Sequence, residues 1–425
     1  MTLFIFLAAL TGLMLLGMPI AFALMLSGVG LMIHLDFFDA QLLAQNMLSG
    51  ADNFPLMAVP FFILAGELMN AGGISQRIIA LAVSLVGHIR GGLGYVAIGA
   101  AVLLASLSGS AIADTAALAT LLIPMMRDNG YPVPRSAGLI ASGGIIAPII
   151  PPSMPFIIYG VTTNTSISAL FMAGIVPGLL MGLGLVFTWM LMARNIDVVP
   201  QRRRSGAERR AALVDGLWAL ALPVLIIGGL RGGIFTPTEA AVVAAVYSLF
   251  VSLFIYRQVK VSELMPLFVN AARTTSVVMF LVAAAMVSSY MITLADLPDQ
   301  VIELLTPILD NRILLMLGIV VLLLAAGIVL DLTPTILILG PVLAPLAAKA
   351  GIDPVYFGVI FIMTGCIGLL TPPICTVLNV VCGVAKISME SATKGVWPFL
   401  LTYSVLLLLL VVMPEIVTVP AKFFH

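Results

Sequence analysis

From Thr2 almost to the carboxyl end, apolar stretches longer than the roughly 18 residues needed to cross a bilayer follow one another with short polar interruptions. A chain built this way has too few charges to wet a surface: 9% of its residues are charged, against about 25% in ordinary globular domains, and 61% are hydrophobic. The expected fold is an all-α polytopic membrane protein with lipid around it. The run from Thr2 to Ile33 has neither a basic leader nor a small-residue cleavage site, so it is expected to stay as membrane structure and not to be removed as a signal peptide.

The formal net charge is zero and no basic tract is interleaved with aromatics, which argues against nucleic acid as a partner. Cys366, Cys375 and Cys382 share one apolar segment without metal-ligand spacing and read as buried cysteines. His34, His88 and His425 lie at segment ends and form no ligand set. Of 19 basic residues, 15 fall in the loops holding Arg77 and Arg90, Arg127 and Arg135, Arg194 to Arg210, Arg257 to Arg273, and Lys386 and Lys394. If these loops share the cytoplasmic side, Arg231, Arg312, Lys349 and Lys422 are left outside and both chain ends lie in the periplasm. The densest run, Arg202 to Arg210, reads as a cytoplasmic linker over 196–212 between halves 1–195 and 213–425. A basic run of this kind can hold lipid headgroups, although topology alone accounts for it.

The two halves repeat at an offset of 221 residues: Pro124 matches Pro345, Gly130 matches Gly351, Gly144 matches Gly365, Pro151-Pro152 matches Pro372-Pro373, and Pro177 matches Pro398. Glycine and proline set backbone geometry, so their agreement says more than agreement among interchangeable apolar residues. Pro19 and Pro237 open comparable segments further upstream. With the charge-based orientation, the segment after Gly92 starts at the cytoplasm and its partner after Asn311 starts at the periplasm, so the copies are inverted. Inverted repeats are a recurring plan of secondary transporters, with substrate and ion sites at the repeat interface.

Each copy carries two interrupted features. Leu93 to Leu107 and Thr115 to Met126, joined by the polar stretch 108–114, are each too short to span about 30 Å of hydrocarbon and read as a re-entrant hairpin over 93–126. The second hairpin covers 313–348, with its tip at 327–335. A membrane segment over 137–161 is broken by Pro151-Pro-Ser-Met-Pro155, and one over 356–385 by Thr371-Pro-Pro373. Proline removes an amide donor and clashes with the carbonyl four residues back, so paired prolines unwind the helix and free carbonyls.

Na+ is a hard cation that takes oxygen ligands, and tip and break together supply them. The first expected sodium site uses Ser106, Ser108, Gly109, Ser110, Gly144, Pro148 and Ser153; the second uses Gly327, Asp331, Thr333, Thr335, Gly365, Thr371 and Thr376. Na+ is the only metal expected, and no organic cofactor is. Asp114, with Pro151, Pro152, Pro372 and Pro373, is expected to bind substrate or support the site. For Asp114 and Asp331 two readings stay open, a helix N-cap or supporting group and direct ion or proton handling. The serines also admit two, ion binding and small-residue helix packing. Half-helix N-termini at the centre suit an anionic substrate group. Glu67 and Glu239 fit a functional or an interfacial role, and the amphipathic stretches Asp39 to Leu48 and Val261 to Ala272 resemble interfacial arms.

Ser106-Leu-Ser-Gly-Ser-Ala-Ile-Ala-Asp-Thr115, the run Ala141-Ser-Gly-Gly-Ile-Ile-Ala-Pro-Ile-Ile-Pro-Pro-Ser-Met-Pro155, and Pro55 to Gly73 are similar to the large membrane subunit of tripartite ATP-independent periplasmic (TRAP) transporters, the DctM-like family. That resemblance extends over the full length. It implies an elevator-type ion-transporter fold in the bacterial inner membrane and uptake of an organic anion, a carboxylate or sialic acid, driven by a Na+ gradient. It also implies a periplasmic substrate-binding protein and a small four-helix membrane subunit, expected as a separate chain because no further helical block precedes Met1 or follows His425. The wording around the hairpin leans towards sialic acid members, with C4-dicarboxylates and sugar acids open. Two other readings compete: a stand-alone divalent-anion/Na+ symporter, and an intramembrane hydrolase. Neither His-Glu-x-x-His nor Gly-x-Ser-x-Gly occurs, so an enzyme is not expected.

Overall fold

In the computed structural model the described residues are 2–194, 196, 198, 201–301, 311–372 and 375–424. The first copy runs α1 (Thr2–Leu15), α2 (Ile20–His34), α3 (Ala40–Ala51), α4 (Ala58–Ala71), α5 (Ile74–Val86), α6 (Gly92–Ser108), α7 (Ala111–Asp128), α8 (Val133–Gly144), α9 (Met154–Thr163) and α10 (Ile167–Ala193). The second runs α11 (Gly206–Arg231), α12 (Pro237–Phe250), α13 (Val261–Leu294), α14 (Arg312–Val329), α15 (Leu332–Lys349), α16 (Pro354–Gly368), α17 (Thr376–Ala385), α18 (Met389–Val412) and α19 (Glu415–Phe424). Helix starts fall where a side chain can accept the first free amides: Asp39, Ser110, Ser153, Ser166, Asn311, Asp353 and Ser388 all do so. Glu239 belongs to this set, closing a capping box with Thr236 at the start of α12.

The elements carry the repeat more closely than the letters do. Helices α14 to α18 begin 220 to 222 residues after α6 to α10. Both α7 and α15 end at a left-handed glycine, Gly130 at φ 81° and Gly351 at φ 69°. Packing partners are exchanged between the copies: α7 lies on α17 and α15 on α9, α8 lies on α18 and α16 on α10, and α2 lies on α13 and α12 on α4. Reciprocal exchange of this kind is what a two-fold relation between copies produces.

The relation is an inversion. Arg77 Nε sits 3.3 Å from Asp215 Oδ1, Arg90 Nη2 donates to the Arg194 carbonyl, and Arg127 Nη2 donates to the Ala385 carbonyl, so the basic loops share one face. Helix α10 has 27 residues and is about 40 Å long, with Arg194 at its end on that face. Ala169, at the opposite end, lines a groove with Asp353 and Thr418, which puts the start of α16 on the far face. The α8 start, next to Tyr131 and the base of α6, lies on the basic face.

Four expectations shift. The hairpin tips are two residues each, Gly109-Ser110 and Leu330-Asp331, not the longer stretches 108–114 and 327–335, because Ser110 and Asp331 cap the returning helices at once. Helix α11 begins at Gly206 behind a Ser205/Glu208 capping box, so the end of the 196–212 linker is helix. The stretch Val261 to Ala272 is not a separate arm but the start of the 34-residue α13. In the first copy the corresponding pair α3 and α4 is interrupted at Asn53-Phe54-Pro55; the second copy has no such stop, and Arg273-Thr-Thr-Ser276 lets the helix continue. The broken segments begin at Val133 and Pro354, slightly earlier than expected.

Candidate functional site

The hairpin base is held on the basic face. Trp189 Nε1 donates to the Gly91 carbonyl at 2.9 Å, Trp189 stacks with Tyr131, and the Leu93 amide donates to Tyr131 Oη at 3.4 Å. From there α6 and α7, of 17 and 18 residues, run about 26 Å inward and turn at Gly109. Gly109 has φ 62°, and a Cβ there would lie 2.8 Å from the Pro152 carbonyl oxygen and 3.1 Å from the Met154 amide. The tip therefore rests on the interruption between α8 and α9. As α8 covers only 12 residues, about 18 Å, before it stops, the tip is level with a break inside the protein and does not cross to the far face. This is the re-entrant arrangement, tolerated because protein covers the free backbone groups.

At this junction Ser108 and Asp114 are joined: Ser108 Oγ donates to Asp114 Oδ1 at 2.5 Å and accepts from the Ser110 amide at 3.1 Å. Ser110 Oγ accepts from the Ala113 amide, so Ser110, not Asp114, caps α7. The capping reading of Asp114 is thereby corrected; the carboxylate lies one turn inside the helix, buried, with Oδ2 unpartnered. Ser106 Oγ donates back to the Leu103 carbonyl. On the break, Ser153 Oγ donates to the Pro148 carbonyl and accepts from the Phe156 amide, capping α9, with Pro151 and Pro152 buried beside it. Gly144 ends α8 against α7 so closely that a Cβ would collide with Thr115 Oγ1 and lie 3.1 Å from the Ala111 carbonyl oxygen. Thr115 Oγ1 and Ser142 Oγ are buried without hydrogen-bond partners. Sequence reasoning missed both; Thr115 directly follows Asp114, but nothing in the letters marks it as facing the break.

The second copy repeats the contact with different side chains. Asp331 Oδ1 accepts from the Leu332 amide at 2.8 Å and occupies the capping place that Ser110 fills in the first copy. Asp114 and Asp331 are thus not equivalent: Asp114 corresponds to Thr335, whose Oγ1 donates to the Asp331 carbonyl at 2.9 Å. Gly327 meets the end of α16 directly, a Cβ there lying 3.0 Å from Gly368 Cα and 3.4 Å from the Gly365 carbonyl oxygen. Gly365 faces Leu332, as Gly144 faces Ala111. Thr371 Oγ1 donates to the Ile367 carbonyl, Thr376 Oγ1 is buried and unpartnered, and Thr333 and Pro372 are half-buried. Pro373 lies outside the described residues.

A helix of the outer layer touches this centre. A Cβ at Gly66 on α4 would lie 3.7 Å from Ser108 Cβ, with Glu67 next along the chain. What the arrangement offers chemically is a set of oxygens, held in a region of low dielectric where an unpaired polar group costs several kcal/mol, about 1–3 by mutational measure.

Residues 7–416 match the family model of the tripartite ATP-independent periplasmic transporter, DctM component. The chain is 55% identical over the full length of both proteins to the 2,3-diketo-L-gulonate TRAP transporter large permease protein YiaN of Escherichia coli. It is 40% identical to the sialic acid TRAP transporter large permease protein SiaM of Vibrio cholerae, over 95% of each chain. Among solved structures, the Alcanivorax borkumensis YdaH transporter superposes with a TM-score of 0.65 over 88% of each chain at 15% identity, a likeness of fold. The chain belongs to the DctM family: it is a large permease subunit of a TRAP transporter, a multi-pass protein of the inner membrane and not an enzyme.

Proposed function

We propose that this subunit couples inward movement of Na+ to uptake of an organic anion, with the two tip-and-break junctions as its ion sites. The observation that carries the reading is the set of buried, unpartnered oxygens at those junctions: Asp114 Oδ2 and Thr115 Oγ1 in the first, Thr376 Oγ1 in the second. Such atoms are costly to leave bare, and a hard cation satisfies carboxylate, hydroxyl and carbonyl oxygens together. In the first site Ser108, Ser110 and Ser153 would hold the loop in shape, while Asp114, Thr115 and the carbonyls between Gly144 and Pro148 offer ligands. Asp331, Thr335, Thr371 and Thr376 would do the same in the second. Na+ brings the positive charge that lets an anion approach the half-helix N-termini at the centre.

The cargo we propose is a sugar acid of the 2,3-diketo-L-gulonate class, in preference to sialic acid, because identity to YiaN is 55% and to SiaM 40%. A periplasmic binding protein delivers it and a small four-helix membrane subunit completes the complex, as the family membership implies. Alternating access proceeds by an elevator motion in which the hairpins and broken helices slide past the layer of α2, α4, α12 and α13; the Gly66–Ser108 contact lies on the sliding boundary.

The test is uptake into proteoliposomes with an imposed Na+ gradient, with and without the two partner proteins. Na+-dependent uptake of diketogulonate that requires both partners is expected, and excess sialic acid should compete poorly. Uptake with neither partner would overturn the tripartite reading, and uptake indifferent to Na+ would overturn the coupling.

A further inference from the structure

We infer that the groove between α11 and the end of α12, on the basic face, is a binding site for one anionic phospholipid. It has a volume of about 850 Å3 and is lined by Arg210, Val214, Trp218, Ile255 and Tyr256 among others. Two tyrosines hold its walls together: Tyr247 Oη donates to the Trp218 carbonyl at 2.7 Å, and Tyr256 Oη donates to the Asp215 carbonyl at 2.6 Å. The acidic side chain lining the groove, Asp215, is already engaged by Arg77, whose guanidinium also lies 3.6 Å over the Tyr256 ring. Arg210 has no acidic partner within salt-bridge distance among the described residues. The neighbouring Glu208 is likewise spent, accepting the Ser205 amide at 2.6 Å. The head of the groove thus presents a free guanidinium, with Arg202, Arg203 and Arg204 just upstream adding to the positive field.

The other end of the groove is apolar and continues into the bilayer. Leu217, Trp218 and Val224 on α11, Phe250 at the end of α12 and Phe254 in the turn of π-helix that follows it are exposed along the same stretch. Charge at the cytoplasmic boundary, an interfacial tryptophan and an apolar track below it match a phosphate headgroup with its acyl chains. A soluble anion would leave the track unused, and a zwitterionic lipid lacks the net charge that Arg210 calls for. The groove shares no residue with the ion junctions, and the inference stands whether or not Na+ is the coupling ion.

Native mass spectrometry of the purified chain, released from micelles doped with phosphatidylglycerol or with phosphatidylcholine of the same acyl chains, tests this. The expected result is preferential retention of one phosphatidylglycerol, lowered about fivefold in Arg210→Gln, the effect of one basic residue near the surface. Trp218→Ala should lower retention of both lipids. Arg273→Gln, an exposed arginine on α13 outside the groove, should change nothing. Equal retention of the two lipids would overturn the inference, as would an equal loss in Arg273→Gln, which would mean diffuse attraction only. Competition by soluble glycerol phosphate as effective as by lipid would reduce the groove to an anion site. Loss of bound phosphatidylglycerol on adding the small subunit, with no lipid at the groove in the complex, would assign the groove to protein contact instead.

Discussion

At the residue scale the decisive pair is Ser108 and Asp114. The hydroxyl both donates to one carboxylate oxygen and accepts from the Ser110 amide, so it shapes the tip while leaving Asp114 Oδ2 open. Ser108→Ala is expected to weaken apparent Na+ affinity with membrane insertion intact. Asp114→Asn keeps an acceptor for Ser108 but replaces the open oxygen's charge; a loss of Na+ affinity of about tenfold, or about 1.4 kcal/mol, is expected in titrations of Na+-dependent uptake. Wild-type Na+ dependence in both variants would mean that these groups only support the tip. Gly109→Ala tests the turn itself. The left-handed backbone alone costs about 1–2 kcal/mol for a residue with a Cβ, and the Pro152 carbonyl is in the way, so thermal unfolding in detergent should begin at lower temperature. The letters of this segment showed that it is polar and small, and that it is a tip. They pointed to Asp114 as the capping candidate and not to Ser110, although serine and aspartate are comparable N-caps. The left-handed turn at Gly109 makes Ser110 the cap and frees Asp114 for another use.

At the scale of elements, helix starts explain where the linker ends. Glu208 accepts the Ser205 amide, and this bond holds its carboxyl below the ordinary glutamate range. A carboxyl whose folded value is depressed contributes stability above the unfolded value and loses it as pH falls through the folded one, so the start of α11 is tied at neutral pH and loosens in acid. Hydrogen exchange at the Glu208 and Arg209 amides should be slowed at neutral pH and accelerate in Ser205→Ala, whose lost cap is worth about 1 kcal/mol; unchanged exchange would show that tertiary contacts alone hold the helix start. The fusion of the α3–α4 counterpart into α13 was equally open to reading from the chain, since Asn53-Phe54-Pro55 has no equivalent in the second copy. The amphipathic pattern of Val261 to Ala272 obscured it, because an arm and the first turns of a long helix show the same period.

For the whole molecule, two crossed copies set each tip against the break of its own copy, and α4 meets the first tip at Gly66. In the proposed elevator motion a side chain at that position would stand in the path of the first hairpin. Gly66→Leu is therefore expected to cut uptake at least about tenfold, about 1.4 kcal/mol in the transport barrier. Normal uptake in this variant would mean that the hairpin does not travel past α4.

The membrane class, the grouping of the basic loops on one face, the inverted repeat and the presence of tips and breaks were all legible in the chain. Each of these follows from local properties: run length against bilayer thickness, the side on which arginine and lysine remain, and the backbone limits of glycine and proline. Only the tertiary structure decided which oxygens are already paired and which are left bare. Thr115 lies 29 residues from Gly144 in the chain yet presses against it, while Ser153 is occupied by its own neighbours. Hydrogen-bond pairing at the centre depends on how helices distant in sequence come to rest against one another, and no local pattern encodes that.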